Sequence, residues 1–140
     1  MTARLKGRRL RAESVCSDLT EWARLQTGVQ GLALVGSYAY DKPTMASDVD
    51  LVLVTPDKRP HLDWAAALDR RPRLIRSQQW GPLTEQRVRL SSGLVVELGI
   101  VTAEWLAVPL DPGTARVAIG DGCRVLYDPD QLFHNALNGL

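Results

Sequence analysis

The sequence predicts an α/β (α+β) fold in which a mixed β-sheet carries flanking helices. Between residues 12 and 27, apolar side chains recur at three- and four-residue steps, which predicts an amphipathic helix. Residues 32–35 and 49–54 are apolar without alternation, as in buried central strands. Residues 84–90 and 94–101 alternate polar with apolar, which predicts a β-hairpin.

Length and charge limit the possible classes of protein. The chain has 140 residues, so we expect a single small domain spanning residues 1–140. The net charge of +1 gives no strong attraction for nucleic acid or membranes. No apolar run approaches the roughly 18 residues of a membrane span, and the basic N-terminus lacks the apolar core of a signal peptide. We therefore expect a cytoplasmic protein that does not bind membranes.

Residues 1–11 are strongly basic. They form a candidate flexible arm that would contact RNA or a triphosphate, although a solvated helix start is the commoner meaning of such a run. The amphipathic helix follows and ends near Gly28.

The first strand, residues 32–35, is closed by Gly36-Ser37. We expect a short helix over residues 38–40 and a loop over residues 41–46, where Pro43 disfavours regular structure. The second buried strand, residues 49–54, stops before Pro56.

The middle of the chain predicts a helix and three strands. Asp63 is a candidate cap for a helix carrying Trp64, and residues 74–80 predict a strand ended by Gly81-Pro82. In the hairpin, a three-residue loop ending at Gly93 gathers the strongly apolar residues on one face. That register places Arg87 opposite Glu97.

In about the last forty residues, the sequence patterns that predict helices and strands are weaker. We expect a capped helix over residues 102–108, a turn at 111–113 leading to a short helix ending near 119, a strand over 123–127 and a terminal helix over 128–137. The cysteines, Cys16 and Cys123, are expected to be structural, and both histidines, His61 and His134, are expected at the surface or in loops.

Two aspartates head the second buried strand. Because side chains two residues apart on a strand share a face, Asp48 and Asp50 should stand together. At about 5 Å and an effective dielectric of about 20, two such charges repel by about 3 kcal/mol. A divalent cation between them would relieve this repulsion.

A third carboxylate, Glu97, lies in an otherwise apolar strand. Burial of a carboxylate is costly unless it is paired or bound to metal. Two interpretations stay open: Glu97 pairs with Arg87 across the hairpin, or it joins Asp48 and Asp50 at a metal site. Gly99, two residues on, is expected to leave room for a ligand to approach.

Gly36-Ser37, followed ten residues later by Ser47-Asp48-Val49-Asp50 at the head of a strand and then by Glu97, resembles the DNA polymerase beta-like nucleotidyltransferase superfamily. The resemblance is closest to the minimal nucleotidyltransferases, relatives of the antibiotic nucleotidyltransferases, and covers about residues 12–101.

This resemblance implies the nucleotidyltransferase fold, a nucleoside triphosphate donor such as ATP and two Mg²⁺ ions. The metal-binding and catalytic residues would be Asp48, Asp50 and Glu97. The implied nucleotide-binding residues, with backbone and side-chain donors for the phosphates, are Gly36, Ser37, Ser47 and Arg87.

The chain departs from its relatives after Gly36-Ser37. Many relatives read Gly-Ser-x-Ala-Arg-Gly, whereas Tyr40 and Asp41 stand here at the arginine and glycine positions. The phosphate-binding guanidinium would then have to come from elsewhere, and Arg87 is the candidate.

Three functions follow as hypotheses. The first is transfer of AMP from ATP to a hydroxyl of an unidentified acceptor. The acceptor would be a protein, a partner-bound molecule or a group at a homodimer interface. The resemblance suggests a helical toxin-like protein as the partner. The second is a nucleotide- or partner-binding module without turnover, such as the antitoxin of a toxin–antitoxin pair. Nucleic-acid binding is disfavoured because no aromatic residues are interleaved with the clustered arginines.

Overall fold

The computed structural model describes residues 2–40, 42–112, 115, 119 and 122–140. Within these residues, two α-helices and six β-strands follow one another in the order α1 (Ala3–Leu25), β1 (Gly31–Val35), β2 (Val49–Val54), β3 (Arg73–Trp80), β4 (Leu83–Arg89), β5 (Val95–Val101), β6 (Cys123–Tyr127) and α2 (Leu132–Asn138). Short 3-10 helices occupy Arg59–His61, Trp64–Ala67 and Ala103–Leu106.

The strands form one sheet in the order β3-β4-β5-β2-β1-β6. Strands β2 and β5 are parallel and the other neighbours are antiparallel, so the predicted mixed sheet with flanking helices is confirmed. Strand β2 lies between β5 and β1, and both of its faces are covered along most of its length. This explains why residues 49–54 are apolar almost throughout.

The two faces of the sheet are covered by different cores. Helix α1 packs on one face, where Leu19 contributes to the larger core. On the other face Val52 and Val101 pack with Phe133 of α2 and Trp105. The second core stops short of the start of β2, and the face beyond it stays open where Asp50 and Glu97 lie.

The predicted hairpin register is confirmed, with Arg87 opposite Glu97 and Val88 opposite Val96. The Leu90 amide donates to the Leu94 carbonyl at 2.9 Å. Gly93 has a φ of +89°, a backbone conformation that side chains rarely adopt, so a glycine is required to close this loop.

Helix α1 begins at Ala3, well before the predicted start near residue 12. The side chain of Thr2 caps the helix by accepting from the Leu5 amide at 3.2 Å. The basic residues between 4 and 11 therefore lie on a helix.

The predicted short helix at residues 38–40 is wrong. The chain forms turns there because the Ala39 amide donates to the Gly36 carbonyl and the Lys42 amide to the Ser37 carbonyl, both at 2.9 Å. Similarly, the helices predicted near 64–68 and at 102–108 are single 3-10 turns. The terminal helix is shorter than predicted, since Asp128 accepts from the Phe133 amide and the chain becomes helical only at Leu132.

His61 is buried rather than at the surface, with 2% of its area exposed, because its ring packs edge-on against Trp22 at 5.9 Å. His134 is exposed as expected and lies 2.6 Å from Asp128. Cys16 is buried and Cys123 is partly buried, both as free thiols.

The turn and short helix predicted between residues 111 and 119 fall largely outside the described residues. Within the described part of the chain, no helix is both long and apolar enough to cross a lipid bilayer.

Candidate active site

Three carboxylates meet at the open end of the central strands. Asp50 in β2 lies directly opposite Glu97 in β5, and Asp48 comes just before β2. One oxygen of each carboxylate lies within 4.8 Å of one oxygen of the other two. The parallel β2–β5 pairing creates this cluster, since opposed residues of neighbouring strands point to the same face.

The turn after β1 is shaped to admit Asp50. Gly36 has a φ of +74°, and a side chain on it would collide with an oxygen of the Asp50 carboxylate. Glycine at position 36 is thus required both by the backbone conformation and by the closeness of Asp50.

Burial and the repulsion between neighbouring carboxylates raise the pKa of two groups in this cluster. Burial, with the hydrogen bonds to Glu85 and Asp50 and the nearby Asp50 charge, raises the pKa of Glu97 to about 8. Burial also raises the pKa of Asp50 to about 6, the Asp48 charge adding to it and the hydrogen bond to Glu97 opposing it. Near neutral pH, Glu97 is therefore protonated and shares its proton with its neighbours.

Arg87 faces the cluster but pairs with a different carboxylate than the hairpin register suggests. Its guanidinium lies 2.7 Å from Asp48, while the guanidinium near Glu97 belongs to Arg76, at 3.5 Å. The interpretation in which Arg87 simply neutralises Glu97 across the hairpin is wrong. The reason is that the arginine side chain is long enough to reach past β5 to the loop preceding β2.

Sequence reasoning missed Glu85 and Arg76. Arg76 of β3 lies 2.5 Å from Glu85 of β4 as well as near Glu97. Burial alone would raise the pKa of Glu85, but hydrogen bonds from Glu97 and Arg76 lower it below its ordinary value. The signal was available in the hairpin, because Glu85 lies two residues before Arg87 and so shares its face.

The space expected beside Gly99 is occupied by protein. A side chain on Gly99 would meet Leu83 at 3.0 Å, so this glycine admits Leu83 rather than a ligand. The open part of the face starts at Glu97.

Other predicted site residues lie close by in sequence but have local partners. The Ser47 hydroxyl accepts from the Thr44 amide at 2.8 Å, which closes the loop that leads into Asp48. Ser37 is half-buried in the turn after β1, and its carbonyl accepts from the Lys42 amide. Tyr40, at the family arginine position, lies next to Gly122, the residue before β6, and is 41% exposed.

The donor set fits a hard divalent cation. All three groups offer carboxylate oxygens, the ligands that Mg²⁺ and Ca²⁺ prefer, and the raised pKa values of Asp50 and Glu97 are consistent with a shortage of positive charge around these two groups. A bound cation would replace the proton that the carboxylates share.

A glycine-serine turn beside three clustered carboxylates, on a mixed sheet with flanking helices, defines a protein class that transfers nucleotidyl groups with bound metal. Residues 16–104 match the family model described as "Nucleotidyltransferase domain", which covers well over half of the 140 residues. The chain therefore belongs to the nucleotidyltransferase family, and its fold is that of the DNA polymerase beta-like superfamily. No curated protein matches the chain.

Proposed function

We propose that this protein is a Mg²⁺-dependent enzyme of the cytoplasm that transfers AMP from ATP to a hydroxyl group of a protein acceptor. The supporting observation is the carboxylate cluster: three acidic oxygen ligands within 4.8 Å, in a chain of the nucleotidyltransferase family.

Asp48 and Asp50 would hold two Mg²⁺ ions, and Glu97 would complete the ligands of the ion nearer the acceptor. The bound ions would neutralise the triphosphate and stabilise charge on the attacking and leaving oxygens. The chain's own contribution is to hold three carboxylates together on adjacent parallel strands, where the metal-free protein shares a proton among them.

The proposed reaction is a displacement at the α-phosphorus. The acceptor oxygen forms a bond to the α-phosphorus, and the bond from that phosphorus to the oxygen bridging the β-phosphorus breaks. Pyrophosphate leaves with that electron pair, and ionised Glu97 takes the proton of the acceptor hydroxyl. Glu97 must first lose its own proton, which its raised pKa of about 8 opposes, and cations bound beside it would lower that pKa and favour the loss.

Arg87 is the proposed triphosphate-binding guanidinium. It lies 2.7 Å from Asp48, at the place where phosphates would meet the metal ligands. With Asp48 serving as a metal ligand, Arg87 would be free to turn toward the phosphates, which it can bind through two parallel hydrogen bonds. In this way Arg87 would replace the arginine that Tyr40 displaces from the usual family position. Gly36, Ser37 and Ser47 would border the nucleotide.

The second candidate is a nucleotide- or partner-binding module without turnover, such as an antitoxin acting on a helical toxin-like partner. The observation that favours it is Tyr40, which stands in place of the family arginine, lies next to Gly122 and offers no positive charge for phosphates. In the sequence, Asp41 adds a negative charge where many relatives have glycine.

The deciding experiment titrates the protein with each nucleoside triphosphate in the presence of Mg²⁺, and then measures pyrophosphate release. Mass spectrometry of the protein, and of the product of the adjacent gene as candidate acceptor, detects added nucleotide. Release of pyrophosphate with an added AMP mass, both lost in Asp50→Asn, supports the enzyme. Binding of triphosphate without release, unchanged in Asp50→Asn, supports the module.

A further inference from the structure

Two further arginines lie on the same open face as the carboxylates. Arg89 is two residues beyond Arg87 on β4, and Arg73 of β3 lies directly opposite Arg89. Because opposed residues of paired strands and residues two apart on one strand share a face, both side chains point to the side where Glu97 lies.

These two arginines have positive charges that no carboxylate among the described residues balances. Arg76 and Arg87 pair with carboxylates of the site, but Arg73 and Arg89 form no ion pair within the part of the chain that the structure describes. Both are exposed. Like charges directly opposite each other in a sheet are unfavourable, so an anion between them would be stabilising.

Strand β3 is also an edge of the sheet. It stands at one end of the strand order with β4 as its neighbour, and seven of its eight residues are exposed. One side of an edge strand presents unpaired amide and carbonyl groups, which an extended peptide can pair with. The strand contains two arginines, Arg73 and Arg76, and no acidic residue.

We propose that β3 and the arginine pair Arg73–Arg89 form a docking surface for an acidic, extended segment of the acceptor protein. The segment adds to the sheet as a strand beside β3, and its carboxylates bind the two arginines. That this segment belongs to the acceptor rests on the proposed function, whereas the docking of an acidic segment does not depend on catalysis.

The position of this surface suits the delivery of a hydroxyl group. Arg76 extends from β3 across β4 to lie 3.5 Å from Glu97, so the edge is about one long side chain from the carboxylates. A segment held at β3 would let the residues that follow it cross β4 and bring their hydroxyl to the site.

Charge decides between the possible occupants. A second copy of β3 would add two more arginines and no acidic residue, so self-pairing would leave the positive charges unbalanced. A nucleic acid would satisfy the arginines but not the unpaired backbone groups of the edge. An acidic peptide satisfies both.

The test uses the full chain without nucleotide or metal, so its outcome is separate from that of the enzymatic assay. The probe is a fluorescent synthetic peptide in which glutamate alternates with valine, and binding is followed by anisotropy at low and physiological salt. Three comparison probes are the same peptide with lysine for glutamate, the same peptide with alternate backbone amides methylated, and a single-stranded RNA. Hydrogen exchange of residues 73–80 is measured with and without the acidic peptide.

The double variant Arg73→Glu, Arg89→Glu should weaken binding of the acidic peptide by on the order of tenfold or more, since two favourable charge contacts become repulsive. Arg59→Glu is the matched control. Arg59 is also an exposed arginine, but it lies after the C-terminal end of β2, outside β3 and β4. Arg73→Gln with Arg89→Gln, which keeps β3 free of new charge, should weaken binding less and leave the fold unchanged by circular dichroism.

The proposal is supported if the acidic peptide binds, slows exchange in β3 and loses affinity in the double variant but not in Arg59→Glu. It is overturned if that peptide does not bind, if the double variant binds as well as the wild type, or if RNA binds and the peptide does not compete. Unaltered binding of the backbone-methylated peptide would overturn the added strand.

Discussion

The two halves of the sheet differ in both burial and charge. In the central strands β1, β2 and β5 nearly every residue is buried, and these strands carry Asp50 and Glu97. The outer strands β3 and β4 are largely exposed and carry the arginines that approach those carboxylates. The acidic groups are thus held where the backbone is most constrained, and their cationic partners lie on longer side chains at the periphery, where they are free to move when a cation or ligand arrives.

The largest expected effect is loss of catalysis when an acidic group of the centre is neutralised. Asp50→Asn should lower the rate of pyrophosphate release by about a thousandfold or more, because a metal ligand contributes several kcal/mol to the transition state. Asp57→Asn is the control, since Asp57 is exposed and pairs with the surface residue Arg59. Equal loss in both variants would argue against a specific role of Asp50.

The stability of the two halves can be compared with one chemical change. Leu98→Ala in β5 removes a fully buried side chain and should lower the free energy of unfolding by about 2–5 kcal/mol. Leu74→Ala in β3 removes a side chain that is 56% exposed and should change the free energy of unfolding by less than about 0.5 kcal/mol. Denaturant melts measure both. Similar losses would show that β3 contributes to the core.

The protonation of the centre predicts how stability depends on pH. The folded protein binds the Asp50 and Glu97 protons more tightly than the unfolded chain does, with pKa values raised from 3.8 to about 6 and from 4.5 to about 8. The resulting stability is complete below about pH 4 and is lost as the pH rises through about 8. Because the site is partly exposed, we expect a loss on the order of 2 kcal/mol, measured by chemical unfolding without metal.

The control for this pH dependence is Glu97→Gln, which has no proton to lose and should flatten the decline. Added Mg²⁺ should restore stability at high pH, because it replaces the missing proton. A decline that persists unchanged in Glu97→Gln would place its origin elsewhere in the chain.

The smallest expected effect concerns the periphery. Arg87→Gln should weaken binding of the ATP–Mg²⁺ complex by about tenfold, because a charge-assisted contact to phosphate is lost. Arg59→Gln should leave the affinity unchanged. Calorimetric titration measures both, and equal affinities would contradict the role of Arg87 in binding the triphosphate.

Much of the site was predictable because it depends on local patterns. The alternation on either side of Gly93 set the hairpin register and so placed Arg87 opposite Glu97. The spacing of Asp48 and Asp50 on a strand put both near one face. Their combination with Gly36-Ser37 is enough by itself to indicate the family.

The missed features depend on contacts between distant parts of the chain. The burial of His61 follows from its packing on Trp22 of α1, and the loss of space beside Gly99 follows from Leu83. The partner of Arg87 depends on how far its side chain extends across β5, which no residue spacing encodes.

The sequence by itself determined the fold class, the hairpin register and which carboxylates are candidates, because strand periodicity and turn chemistry act over a few residues. Only the tertiary structure decided that β2 and β5 run parallel, so that Asp50 and Glu97 meet and share a proton. It also decided that Arg76 and Glu85 join the site. The physical reason is that a protonated carboxylate cluster depends on separations of a few ångströms between residues far apart in the chain, and those separations are set by packing.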